Sequence, residues 1–174
     1  MSNLPPSLYL VACACPPVLH IHNMITASRE RGWDVSLVLT PSAALWLEAD
    51  VDRLAALTTH PVRSTYKLPH DPDVLPPADA MVVAPATFNT LNKWAAGISA
   101  TLALGLVTEA IGKRMPLVAL PFLNTWQADH PAFEHNVRFL GAAGVRTRPT
   151  RRERLHTAWP ERESRGPIPL APRT

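Results

Sequence analysis

Four short apolar runs limit what this chain can become: Ser7–Ala14 (SLYLVACA), Trp33–Thr40 (WDVSLVLT), Ala80–Ala84 (AMVVA) and Pro116–Leu120 (PLVAL). Their apolar residues are nearly continuous, not alternating. A strand of that kind must be covered on both faces, which is the condition of a parallel sheet between helices. The segments between the runs read as those helices. Val18–Arg31 places Val18, Ile21, Met24, Ile25 and Ala27 on one face, and Gly32 follows as a stop. Pro41–Leu57 starts with proline at a permitted first-turn position and carries a break near Asp50. Phe88–Gly112 reads as two helices meeting near Gly97, and Pro131–Leu140 as another. Pro61–Thr65 reads as a third strand and Val145–Thr147 as a sixth. Leu68–Pro77 (LPHDPDVLPP) and Phe122–His130 read as loops. The predicted architecture is α/β: a three-layer Rossmann- or flavodoxin-like fold, with a mainly parallel sheet of five or six strands and right-handed crossovers.

A length of 174 residues with 47% hydrophobic content suits one domain with a real core. No apolar run reaches the ~18 residues that a spanning helix needs. The first residues lack the basic region of a signal peptide. Cys13 and Cys15 are too close together to staple a fold. The expectation is a soluble, cytoplasmic protein with no membrane partner. Its net charge of +3 is uneven, because 8 Arg and 3 Glu lie from Arg146 onward. The remainder has no basic surplus, so nucleic acid is not an expected partner. Residues 1–149 read as the folded domain. Residues 150–174 read as a basic, Pro-rich tail, disordered or ordering only against a partner.

Ligands of an open parallel sheet bind beyond the C-terminal ends of its strands. The residues of interest therefore fall in four loops: Cys15–Pro17, Thr40–Ala43, Pro85–Asn92 and Pro121–Pro131. None of the 7 glycines lies in the first loop. A dinucleotide fingerprint and a phosphate-binding P-loop are thereby excluded. There is no GxSxG elbow. The third loop presents Thr87, Asn89, Thr90 and Asn92 where a strand ends and a helix begins. Such groups either cap the helix or hydrogen-bond a planar heterocycle. Cys13, Cys15, His20 and His22 suggest a metal site, but side chains two apart on a helix diverge. Trp33, Trp46 and Trp94 sit in amphipathic segments and read as packing residues.

The segment VAPATFNTLNKWAAGI resembles the P-A/L-S-A-N-T-x-x-K-x-A-x-G-I/L block of the homo-oligomeric flavin-containing cysteine decarboxylases. That family includes the enzymes acting on C-terminal cysteines of lantibiotic peptides and the phosphopantothenoylcysteine decarboxylases. Pro85, Ala86, Asn89, Thr90, Lys93, Ala95, Gly97 and Ile98 match, and Thr87 stands for the motif's Ser. A second block, LPFLNTWQADHPAFEHN, resembles the family's P-x-M-N-x-x-M-W-x-x-P motif through Pro121, Asn124 and Pro131. The resemblance implies FMN as cofactor. Its ring would lie against Ala86, Thr87, Asn89 and Thr90, and its phosphate against Thr40, Ser42 and the backbone around Cys15. It further implies His70 as catalytic acid/base, against a plain solvated loop histidine, and Asn124 as the binder of the substrate carboxylate, against a turn residue. The reaction implied is oxidative decarboxylation of a cysteine-containing peptide to an enethiol, in a homotrimer or an assembly of trimers. The alternative is a non-catalytic FMN-binding protein acting through partners. Leu123, Gln127 and Ala128 depart from the second motif, and no cysteine follows Cys15. Those departures point away from coenzyme A biosynthesis.

Overall fold

The computed structural model describes residues 4–148, so the expected tail at 150–174 lies outside the described residues. Five strands form one sheet: β1 Ser7–Ala12, β2 Asp34–Leu39, β3 Ala80–Ala86, β4 Leu117–Pro121 and β5 Val145–Thr147. Every pairing is parallel, in the order β2-β1-β3-β4-β5. This is the flavodoxin-like order, with its topological switch between β1 and β3. The two-sided apolar runs are what such a sheet requires. Leu10, Leu37 and Leu39 are fully buried on one face, and Val11, Val38 and Val83 on the other.

The first face is covered by α1 (Ile21–Arg29), α2 (Pro41–Trp46) and α3 (Val51–Thr58). The second is covered by α4 (Phe88–Ala95), α5 (Leu102–Gly112) and α7 (Pro131–Ala142). The expected helix from Val18 begins as a 3₁₀ turn, Pro16–His20, because Pro16 and Pro17 fix the backbone angle but carry no N–H. The break near Asp50 is a 3₁₀ turn at Glu48–Asp50. Gly97, at φ +70°, ends α4 where the sequence places the junction of two helices.

Two sequence expectations are corrected. Pro61–Thr65 is not a strand. Only Arg63 pairs with β2, donating to the Leu37 carbonyl at 3.1 Å and accepting from Leu39 N–H at 2.8 Å. Pro61 supplies no donor, and the chain then turns so that Tyr66 reaches α5. There the Tyr66 hydroxyl donates to the Ser99 carbonyl at 3.1 Å. A Cβ at Gly105 would overlap that hydroxyl, so a larger residue here would displace the Tyr66 side chain. Phe122–His130 is not all loop either. Asn124 caps a short helix, α6 (Thr125–Ala128), by accepting from Gln127 N–H at 2.9 Å.

Candidate functional site

The switch point brings the ends of β1 and β3 together. Cys13 N–H donates to the Pro85 carbonyl at 3.1 Å, and Thr40 N–H to the Ala12 carbonyl at 3.0 Å. The Ala84–Pro85 peptide bond is cis. Thr87 caps α4 by accepting from Thr90 N–H at 3.4 Å, and the two hydroxyls lie 3.0 Å apart. The Cys13 thiol donates to the Thr90 hydroxyl at 3.3 Å. A sulfur–hydroxyl chain thus joins the first strand to the third loop. Burial raises the Cys13 thiol pKa. Cys15 is pushed up to about 12, by burial first and then by the neighbouring Cys13. Both thiols stay protonated at physiological pH, so neither serves as a nucleophile.

The expected flavin contacts fall in two groups. Ala86 is fully buried and Thr90 is 5% exposed. Their side chains belong to the core and to the hydroxyl chain. Asn89 stands exposed in the first turn of α4, and Thr87 is half-buried. Thr40 caps α2 by accepting from Ala43 N–H at 3.4 Å, and Ser42 is exposed beside it. Around Cys15 the expected donors are thin. Pro16 and Pro17 have none, and Val18 N–H is spent on the Cys15 carbonyl at 2.9 Å.

Asn124 stands at the end of β4, next to the third loop. Phe122 N–H donates to the Ala86 carbonyl at 2.9 Å, which ties the two loops. A second tie, Asn136 Nδ2 to Asn92 Oδ1 at 2.8 Å, joins α7 to α4. His70 is apart from this group. It sits on the long loop between α3 and β3 with its side chain 78% exposed, 3.6 Å from the Asp71 carboxylate.

Sequence reading missed a cleft of about 380 Å³ on the α1 side of the sheet. One wall is Pro17, His20 and Met24; the other is Pro85, Leu120 and Phe122. The prolines flanking β1 and β3 were its only sequence signal. The His20 and His22 rings stand 6.2 Å apart, edge to face at 71°. No group of three or more His, Cys, Asp or Glu among the described residues is placed to hold a metal.

The model of the family described as Flavoprotein matches residues 7–158. This chain belongs to the Flavoprotein family. A coenzyme A biosynthesis bifunctional protein CoaBC from Bacillus subtilis is 29% identical over 117 residues, which is 64% of this chain and 28% of that protein. Its counterpart from Thermococcus kodakarensis is 37% identical over 68 residues, covering 39% and 17%. This flavoprotein therefore spans less than a third of the length of those relatives. Among solved structures, the FMN-dependent cysteine decarboxylase TvaF from thioviridamide biosynthesis superposes with a TM-score of 0.73 at 23% identity, over 87% of this chain and 93% of that one. The FMN-dependent cysteine decarboxylase SpaF gives 0.71 at 23%, over 84% and 85%. At that identity the likeness is one of fold. Among the described residues, no helix of this flavoprotein is long and apolar enough to cross a membrane.

Proposed function

We propose that this chain is an FMN-dependent carboxy-lyase acting on a cysteine-containing substrate with a free carboxylate, of the class of C-terminal-cysteine peptides. One observation carries the reading. The Pro85–Thr90 loop and the Asn124 loop, far apart in sequence, are stitched together at the strand ends beside an apolar cleft. Family membership supports the cofactor. A solved neighbour, a variant of the decarboxylase EpiD, is in complex with the substrate peptide DSYTC, which supports the substrate class.

The residues present suit the ring better than the phosphate. Proline, leucine and phenylalanine walls and a volume of about 380 Å³ accept a flat apolar body. Thr87, half-buried, and Asn89, exposed, present polar groups where α4 begins, a few residues after Pro85 of the cleft. Thr40, Ser42 and the chain near Cys15 would hold the phosphate. Bound FMN supplies two-electron oxidation of the cysteine side chain. The protein's own residues do the rest. Asn124 commits its Oδ1 to the α6 cap, so its Nδ2 remains to donate to the substrate carboxylate. His70 accepts and returns the proton of the reacting thiol. The apolar walls strip water from the carboxylate, which favours its departure as CO₂. A homotrimer in a cytoplasmic setting belongs to the same reading. The assembly is supported by the exposed apolar Phe139, Trp126 and Ile98.

The purified protein mixed with FMN and desalted is expected to keep oxidised-flavin absorbance and to release CO₂ from a peptide ending in cysteine. A colourless protein sinks the cofactor assignment. Colour without turnover on any thiol acid leaves the binding-protein alternative. Asn124→Asp tests the carboxylate role. Aspartate caps a helix as well as asparagine, so the fold is kept. A donor facing the substrate is replaced by a like charge. Loss of a hydrogen bond to a charged group, ~1.5–3 kcal/mol, raises KM by about 10- to 100-fold. An unchanged KM removes Asn124 from the substrate site.

A further inference from the structure

We propose that His20 and Asn23 form an anion-recognising edge of the cleft between α1 and the ends of β3 and β4. The proposal deepens the reading above and rests on this cleft being the ligand site.

Ten residues line the cleft; His20 is the only ionisable one, and Asn23 the only other with a polar side chain. They are three positions apart across the start of α1, so they share one side of it. His20 is exposed, and neither of its ring nitrogens has a hydrogen-bond partner among the described residues. The one ring beside it is His22, whose Nδ1 is buried and likewise unpartnered. Cys15, at the start of the 3₁₀ turn, is a neutral thiol, and the lining residues of β3 and β4 carry no ionisable group.

The other groups proposed for the anions, Thr40, Ser42 and Asn124, are neutral donors. Thr40, Thr87 and Asn124 each commit an oxygen to a helix cap. Pro16 and Pro17 have removed N–H groups where the chain leaves β1. None of the four loops at the strand ends contains Lys or Arg. An acid entering these apolar walls therefore meets one side chain able to carry positive charge, and an amide next to it. The ligand class is a flat or apolar body bearing one anionic group. Two sources share that chemistry: the phosphate of FMN and the carboxylate of the substrate.

Two pairs of probes separate the sources. Dissociation constants for FMN and riboflavin are read by flavin fluorescence. Those for a short peptide ending in cysteine and for its C-terminal amide are read by calorimetry. His20→Gln keeps a polar side chain of similar size that cannot be protonated, and His20 is exposed, so an unchanged melting temperature is the control for folding. The expected result is an affinity loss of about tenfold for one acid, with its uncharged partner unaffected, and recovery in His20→Lys. Loss confined to FMN assigns the phosphate, and loss confined to the peptide acid assigns the carboxylate. Equal constants for both acids in wild type and His20→Gln overturn the proposal. A wild-type protein that takes up no flavin defeats the proposed function, but the peptide acid and amide still test His20. A wild-type protein that binds neither acid overturns both.

Discussion

His70→Asn is expected to lower decarboxylation of a C-terminal-cysteine peptide by about 10²- to 10⁴-fold, the usual share of a general acid/base, while the protein stays yellow. The local structure makes this substitution a clean one. A tight turn carries the residue: Asp71 N–H donates to the Leu68 carbonyl at 3.0 Å, and Leu68 N–H to the Asp71 carboxylate at 2.9 Å. Lys67 Nζ closes the turn from outside by donating to the Asp71 carbonyl at 2.8 Å and pairing with Asp73 at 2.9 Å. None of these bonds uses the imidazole. Its side chain is 78% exposed, so asparagine leaves no cavity and the melting temperature should not move. Tyr66, docked on Gly105 and Ser99, anchors the same loop to the connection between α4 and α5. Loss of turnover at constant stability and constant flavin content would therefore report proton transfer. Unchanged kcat/KM would return His70 to the status of a solvated loop residue.

Trp94→Ala is expected to cost about 3–5 kcal/mol of folding stability, and Trp126→Ala close to nothing. Trp94 is 1% exposed and is the largest fully buried side chain. Its indole N–H donates to the Val107 carbonyl at 3.0 Å, across the turn at Gly97. One residue thus packs α4, which follows the third loop, against α5. Truncation leaves a cavity between two helices that cannot collapse freely, because both are held on the sheet. For a domain of this size each kcal/mol lowers Tm by about 2–4 °C, so a drop of about 10 °C is expected in a thermal melt. Flavin affinity should fall with it, since α4 supports Thr87 and Thr90. Trp126 is 84% exposed on α6, so its removal takes little apolar surface out of burial. Equal melting temperatures for the two variants would show that Trp94 does not hold α4 to α5.

Much of the architecture was legible because its signals are local. Val145–Thr147 is the strand its three residues suggested. The junction of α4 and α5 falls at Gly97 because only there does the backbone need a left-handed turn. The failures share a cause. Pro61–Thr65 has strand-like residues, but its fate was decided by Tyr66 reaching Gly105 on α5, a contact between segments far apart in sequence. The turn of helix at Thr125–Ala128 follows from the capping side chain of Asn124, which the sequence left open between a substrate binder and a turn residue. In the site, the resemblance pointed to residues at the strand ends but could not show which of their polar atoms are spent on helix caps.

Apolar periodicity, proline and glycine placement and two short motifs determined by themselves the layered α/β class, the family and the positions of the five strands that form, though they added a sixth at Pro61–Thr65 that does not. Those properties depend on each residue's own preferences and on neighbours within a few positions. The tertiary structure decided the strand order, the burial of Ala86 and Thr90, the outward position of His70 and the cleft that sets His20 opposite Pro85 and Phe122. Each of these depends on which distant segments meet. A buried hydroxyl has few hydrogen bonds to give, and only the packed chain settles where they go.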